Sequence, residues 1–275
     1  MPEKLKSRFL DELTARQAQT VMKRTGMVIL PVGTLELHGP HMPLGCDGFI
    51  TQALAFKIAE KADCLVAPLE PFSFIGGTSR FKGGVSVPFS ASMEFLKHIV
   101  RALIAGGFRK IVLMSAHMPN ATALTAVARE MFEETGLPIL NLRPFSLIDD
   151  EMIADVLGSA EDALMEATLL AGSLKVLGKD YLIEPGKWKH VDTVPLTPES
   201  ARRLMRVANV GFYYTSEMSH QPPRAGVDPD KGVILLERGA DRAKNIGKDM
   251  DDYIKWLDKT FGKDRAGKGA PYYLA

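Results

Sequence analysis

Three short stretches limit what this chain can fold into. MVILPV (27–32), CLVAPL (64–69) and KIVLMSA (110–116) are apolar almost throughout, with no alternation of polar residues. A strand with one wet face alternates with a period of two, so runs of this kind belong to strands covered on both faces. The segments between them have helical spacing. GFITQALAFKIAEKA (48–62) places Ile50, Leu54, Ala55 and Ile58 along one face. SASMEFLKHIVRALIAGG (90–107) offers Ser90 or Ser92 as an N-cap and closes at Gly106-Gly107, and ATALTAVAREMFEETG (121–136) can be capped by Asn120 and ended by Gly136. LPILNL (137–142) is then a fourth strand. Buried strands alternating with amphipathic helices predict an α/β fold, a mainly parallel sheet sandwiched by helices.

Beyond residue 146 the pattern loosens. Residues 159–178 read as a helix, 179–200 as loop with one short strand, 198–218 as partly helical, and KNIGKDMDDYIKWLDKTF (244–261) as an amphipathic helix. No linker or repeat divides the chain. The expectation is a single domain over 1–275, with a core from about 20 to 245, a C-terminal helix over 246–262, and a tail.

Composition excludes several partners. With 34 basic and 33 acidic residues the net charge is +1, and the basic residues are scattered, so there is no electrostatic footprint for nucleic acid. No apolar stretch reaches the roughly 18 residues of a membrane span. The N-terminus is charged throughout, and two cysteines, Cys46 and Cys64, cannot build a disulfide framework. A cytoplasmic protein without nucleic-acid or membrane partners is expected.

The chemistry gathers after the first strand, in PVGTLELHGPHMPLGCD (31–47). In an open parallel sheet, sites form at the carboxyl ends of the strands. The first strand brings Glu36, His38, His41 and Asp47 to that edge, and the third brings His117. Glu36 and His38 are two apart and share a face in extended backbone. Asp47 returns to them only through a tight loop, for which Gly39-Pro40, Pro43 and Gly45 are suited. Imidazole with carboxylate suits Zn²⁺, Mn²⁺ or Fe²⁺, and Asp47 could bridge a pair of such ions. The competing reading is a proline-rich loop whose histidines bond the backbone.

LPVGTLELHGPHMPLGCD (30–47) resembles the opening signature of the creatininase family of metal-dependent amidohydrolases, close to P-V-G-S-x-E-x-H-G-P-H-L-P-L-x-T-D, with Thr34 for Ser and Cys46 for Thr. FKGGVSV (81–87) is similar to the family's F-P-G-T-I-S-L, and GGFRKIVLMSAHMPNA (106–121) to its G-F-x-x-I-x-x-x-N-G-H-G-G-N block. The resemblance extends over about residues 20–170, with GVDPDKG (226–232) a weaker echo of a Gly-Asp-Pro tail. It implies that Glu36 and His117 bind one ion, His38 the other, that Asp47 bridges them, and that Glu166 in LMEATLL is the fifth ligand. It also implies two divalent ions (Zn or Mn, with Fe an alternative), a small-molecule substrate, and a ring-shaped homo-oligomer, a hexamer. Glu166 falls in an otherwise apolar helical run, where a metal would stabilise a carboxylate that is costly to bury alone. The bland alternative is a solvent-facing helix residue.

The chain also departs from the family. Its third block reads Ser115-Ala116-His117-Met118-Pro119-Asn120, without either glycine, and Pro119 stands where the creatinine-hydrolysing member has a glutamate. The family's H-A-G-x-x-E-T-S reads here from Glu161 to Thr168, so Glu161, or Asp162, replaces a histidine that works beside the metals. Glu161 is the candidate general acid or base, or else a helix N-terminal carboxylate favoured by the dipole. Arg80, Asn120 and His41 are candidate substrate contacts; surface, cap and loop-shaping roles compete. Cys46 is a nucleophile or, more simply, a small buried filler. His98 reads as structural, Trp188 as a pocket wall or subunit contact, and nothing in the sequence positions His190 or His220. The expected activity is attack of a hydroxide on the two ions at a carbonyl of a small polar, cyclic substrate. The bond cleaved is an amide or lactam C–N, or alternatively a C–C bond in a diketo-inositol-type ring. A binding protein that kept the fold and lost the reaction is the rival from another class.

Overall fold

The computed structural model describes residues 5, 7–195, 199–205, 207 and 210–265. In chain order the first half runs α1 (Ala15–Thr25), β1 (Met27–Pro31), α2 (Cys46–Ala62), β2 (Leu65–Val66), α3 (Phe89–Ala105), β3 (Lys110–Met114), α4 (Met118–Thr135) and β4 (Ile139–Leu142). The second half is helical: α5 (Pro144–Leu147), α6 (Asp150–Leu157), α7 (Asp162–Val176), α8 (Glu199–Met205), α9 (Pro229–Arg242) and α10 (Ile246–Phe261). The strands form one parallel sheet in the order β2-β1-β3-β4, with Met27 opposite Lys110 and Ile111 opposite Ile139.

Every residue of β1 and β3 is buried, as uninterrupted apolar strands require. Successive side chains point to opposite faces. Met27, Ile29, Val112 and Met114 enter one core with α2, α7 and α9, while Val28, Leu30, Ile111 and Leu113 enter a second with α1, α3 and α4. The result is the expected single α/β domain, its sheet sandwiched by helices.

Several local expectations are corrected. The ladder of β2 stops at Val66: Ala67 N–H still donates to Ile29 O at 2.8 Å, but Pro31, the next residue of β1 on that side, has no amide hydrogen to return; Phe9 extends the other edge through an isolated parallel bridge to Val66. An N-terminal helix, α1, begins ahead of the expected core and runs into it, closed by a Thr14–Gln17 capping box and by Gly26 at φ 61°. The cap of α3 is Pro88 rather than Ser90 or Ser92, and that of α4 is His117 rather than Asn120. Described residues of 179–200 contain no strand but two short 3-10 turns, Asp180–Leu182 and Pro185–Lys187, before α8 begins. The tail beyond 265 lies outside the described residues.

Helix α7 is the buried keystone of the first core, with every residue from Met165 to Leu174 inside. Two glycines permit this. A Cβ on Gly172 would lie 2.4 Å from the carbonyl carbon of Gly232 in α9, and one on Gly232 would lie 2.1 Å from the Thr168 oxygen. The helices therefore touch backbone to backbone. Gly172→Val should force them apart and lower stability by about 1–3 kcal/mol, read as a reduced unfolding midpoint in denaturant; an unchanged midpoint would contradict this packing account.

Candidate metal centre

The chain leaves β1 at Pro31 and stays on the sheet edge, with Val32 N–H bonded to Met114 O at 2.8 Å and Gly33 N–H to Glu70 O at 2.8 Å. Glu36 N–H bonds Leu44 O at 2.9 Å and closes the loop. At Gly39 (φ 65°) a Cβ would lie 2.2 Å from Gln221 O, so only glycine fits this turn. Gly33 and Gly48 bring the strand exit against the first turn of α2, since a Cβ on Gly33 would lie 2.7 Å from Gly48 Cα. Asp47 is thus not a loop residue: it is the second residue of α2, where the helix dipole favours an anion. Thr51 joins this helix to the end of β3, donating to Asp47 O (2.6 Å) and accepting from Ala116 N–H (2.9 Å).

These constraints bring Glu36, His38, Asp47, His117 and Glu166 into one enclosure, each between 1% and 7% exposed. His117 Nε2 is 2.9 Å from the Phe74 carbonyl, which can only accept, so that nitrogen carries the hydrogen. Its Nδ1 then faces Glu36 Oε1 at 2.8 Å and Asp47 Oδ2 at 3.1 Å. His38 repeats the arrangement. Its Nδ1 faces the Glu36 carbonyl at 3.2 Å, leaving Nε2 3.2 Å from Glu166 Oε1 and 3.6 Å from Asp47 Oδ1. Both rings are oriented by a backbone acceptor, as metal-bound imidazoles are. Thr34 donates to Asp47 Oδ2 at 3.0 Å and Thr78 to Glu36 Oε2.

Neutral imidazole nitrogens and carboxylate oxygens are all acceptors, so their convergence calls for cations. Without metal, protons supply them. Burial works against a charged His117, yet Asp47 and Glu36 carry it up to about 10. Burial likewise opposes charge on His38, but the carboxylates of Asp47 and Glu166 beside it hold its pKa well above the ordinary value. Burial would raise Asp47, but His38 and His117 hold it well below. Burial raises Glu166. Donor atoms within 4.8 Å of one another form three groups: Glu36–Asp47–His117, His38–Cys46–Glu166 and Glu36–His38–His220. The donor set fits a divalent transition metal.

The other candidates are placed differently. Glu161, at the N-cap of α7, is 42% exposed and paired with Arg224. Asn120 is buried, its amide nitrogen 3.1 Å from both Ser73 Oγ and Ser115 Oγ, a brace between loop and strand end. Arg80 is exposed, with its guanidinium 5.3 Å from the Tyr213 ring centre. His41 stands edge-on to Trp188 at 4.4 Å, and burial and His38 lower its pKa to about 4. Burial also pushes the Cys46 thiol well up, which favours the filler role. His98 and His190 are exposed beside Glu94 and Asp192. His220 is the residue that sequence reasoning could not place: its ring lies 4.9 Å from that of His38 and 4.5 Å from Tyr214. Only the fold brings a residue so far along the chain to this edge.

A family model described as creatinine amidohydrolase (creatininase) matches residues 11–200. The 3-dehydro-scyllo-inosose hydrolase of Thermotoga maritima is 29% identical over 150 residues, covering 52% of this chain and 47% of its own length. The creatinine amidohydrolase of Pseudomonas putida is 32% identical over 122 residues, covering 42% and 47%. The chain thus spans about half the length of the curated relatives it matches. A solved structure described as "Creatininase Mn" superposes with a TM-score of 0.70 at 20% identity, over 90% of this chain and 99% of that one. A variant creatininase of "Zn-Zn type" does so at 0.68, also at 20% identity, over 91% and 99%. At that identity the likeness is one of fold. No helix among the described residues is long and apolar enough to cross a membrane.

The charge arrangement dictates a pH response. In metal-free protein the raised pKa of His117 adds stability that is complete below its ordinary 6.5 and is lost as pH rises to about 10. The same pairing, seen from Asp47, is lost as pH falls below the ordinary 3.8. Thermal unfolding in chelator should therefore give a melting temperature that declines from about pH 6.5 to 10, with a smaller decline in protein loaded with Zn²⁺ or Mn²⁺. A metal-free melting temperature that is flat or rises across that window would contradict the arrangement.

Proposed function

The chain belongs to the creatininase family, and on that premise we propose that it is a hydrolase with a dinuclear centre of Zn²⁺ or Mn²⁺ (Fe²⁺ fits the same donors). The substrate is a small, polar, cyclic carbonyl compound. One observation carries the reading: the two oxygens of Asp47 face different histidines, Oδ1 at 3.6 Å from His38 and Oδ2 at 3.1 Å from His117. A carboxylate so placed could bridge two ions. Glu36 lies beside His117, and Glu166 beside His38, which divides the donors into two sets around Asp47. When bound, such a pair supplies a nucleophilic hydroxide at neutral pH and polarises a carbonyl.

The chain's own residues prepare the site. Thr34 and Thr78 orient the carboxylates of Asp47 and Glu36. The Phe74 and Glu36 carbonyls hold the two imidazoles, and burial excludes bulk water, which strengthens every interaction inside. Glu161, at the N-cap of α7 and paired with Arg224, is the candidate general acid or base. Arg80, exposed just after the 3-10 turn Gly76–Thr78, is the candidate grip on a polar substrate, with His41 on the loop after β1.

The name of the Pseudomonas relative favours C–N hydrolysis of an amide or lactam. The name of the Thermotoga relative supports the second reading, hydrolytic C–C opening of a cyclic polyol ketone; both begin with addition of oxygen to a carbonyl. The working form is a homo-oligomer in the cytoplasm, a hexamer by family resemblance. A screen of lactams, formamides and cyclic polyol ketones, with metal analysis of each preparation, tests the reading. The native chain should hold two ions and turn over at least one class, and Asp47→Ala should lose both ions and more than about 100-fold in turnover. Full activity in that variant, or in metal-free protein, would contradict it.

A further inference from the structure

The five expected ligands leave a partly buried imidazole at the centre, that of His220, unused. His220 is carried on residues 210–224, a strap fastened along its length. Tyr214 N–H donates to Gly77 O at 3.0 Å, and Gln221 Nε2 donates to Asp162 Oδ2 at 2.9 Å. Val191 N–H donates to Pro223 O at 3.0 Å. Buried Arg224 locks the end of the strap through Val191 O (2.5 Å), Thr193 Oγ1 (3.0 Å) and Glu161. These ties hold His220 with its donor atom within 4.8 Å of those of Glu36 and His38.

Two further observations show that this placement is costly and is maintained all the same. His220 Nε2, like both ring nitrogens of His41 farther along the loop, is buried with no hydrogen-bond partner among the described residues, a condition that native proteins avoid unless a water, ligand or ion supplies the partner. The next residue, Gln221, has φ 53°, a left-handed backbone that non-glycine residues seldom adopt. Strain of this kind persists where surrounding structure over-determines it, and it clusters at ligand clamps. A purely packing role would account for the ring's contacts with His38 and Tyr214, but not for a ring that has an unsatisfied nitrogen and a donor atom within reach of a carboxylate and an imidazole.

We propose that His220 is a sixth protein donor to the metal centre, so that metal loading clamps the strap over the site. The proposal rests on reading the centre as a metal site. The Glu36–His38–His220 group takes one ligand from each of the two donor sets and does not include Asp47 itself.

The test is titration of the full chain with Co²⁺ and Zn²⁺ against a competing chelator, together with the visible Co²⁺ spectrum and proteolysis of the strap. His220→Phe, which keeps an aromatic ring in place, should weaken binding of one ion by at least about tenfold. It should also change the Co²⁺ absorption and abolish the protection of the strap that metal gives the native chain. His190→Phe, an exposed position on the neighbouring segment, should do none of these. If His220→Phe fails to fold, His220→Asn is read by the same titration. Native affinity, spectrum and protection in the folded variant would overturn the assignment and leave the hydrolase reading standing. A native chain that binds no ion would overturn both.

Discussion

The structure turns on an excess of acceptors held in one buried place. Three carboxylates and two oriented imidazoles meet at the carboxyl edge of β1 and β3, and Asp47 lies between the histidines. Such a group repels itself unless positive charge is added, as protons or as metal. Everything around it resists relaxation. Gly33 against Gly48, Gly39 under Gln221, and Gly172 against Gly232 leave no slack in the strand exit, the loop or α7. The centre is a strained electrostatic arrangement held by backbone contacts, and its demand for cations follows from that rigidity.

The sheet explains why these residues can meet. Parallel strands bring their carboxyl ends to one edge, and β1 and β3 are adjacent, so Glu36 and His117 become neighbours although 81 residues separate them in the numbering. Helix α7 packs in the same layer as α2 and presents Glu166 from an apolar surface. The first half of the chain builds the floor of the site, and the segments after α7 cover it.

What could be read from the sequence follows the range of the forces involved. β1 and β3 were legible because full burial leaves an unbroken apolar run, and Glu36, His38, Asp47 and His117 because they follow those runs directly. Glu166 stood out as a carboxylate in an apolar helix. The apolar run at 64–69 is longer than its ladder, since apolar composition does not register the donor that Pro31 of β1 lacks. α1 was missed because Val21 is its one fully buried residue, although the Thr14–Gln17 capping pair was a visible signal. The roles of Glu161 and Asn120 depend on partners, Arg224, Ser73 and Ser115, that no local pattern discloses. His220 lies in loop-like sequence, and its place over His38 is a product of tertiary folding alone.

The central claim is that Asp47 bridges two ions. Crystals grown with Zn²⁺ or Mn²⁺ and measured at the metal absorption edge test it most directly. The account predicts two anomalous peaks flanking the Asp47 carboxylate, one between Glu36 and His117 and the other between His38 and Glu166. One peak, or two peaks that do not share Asp47, would contradict it.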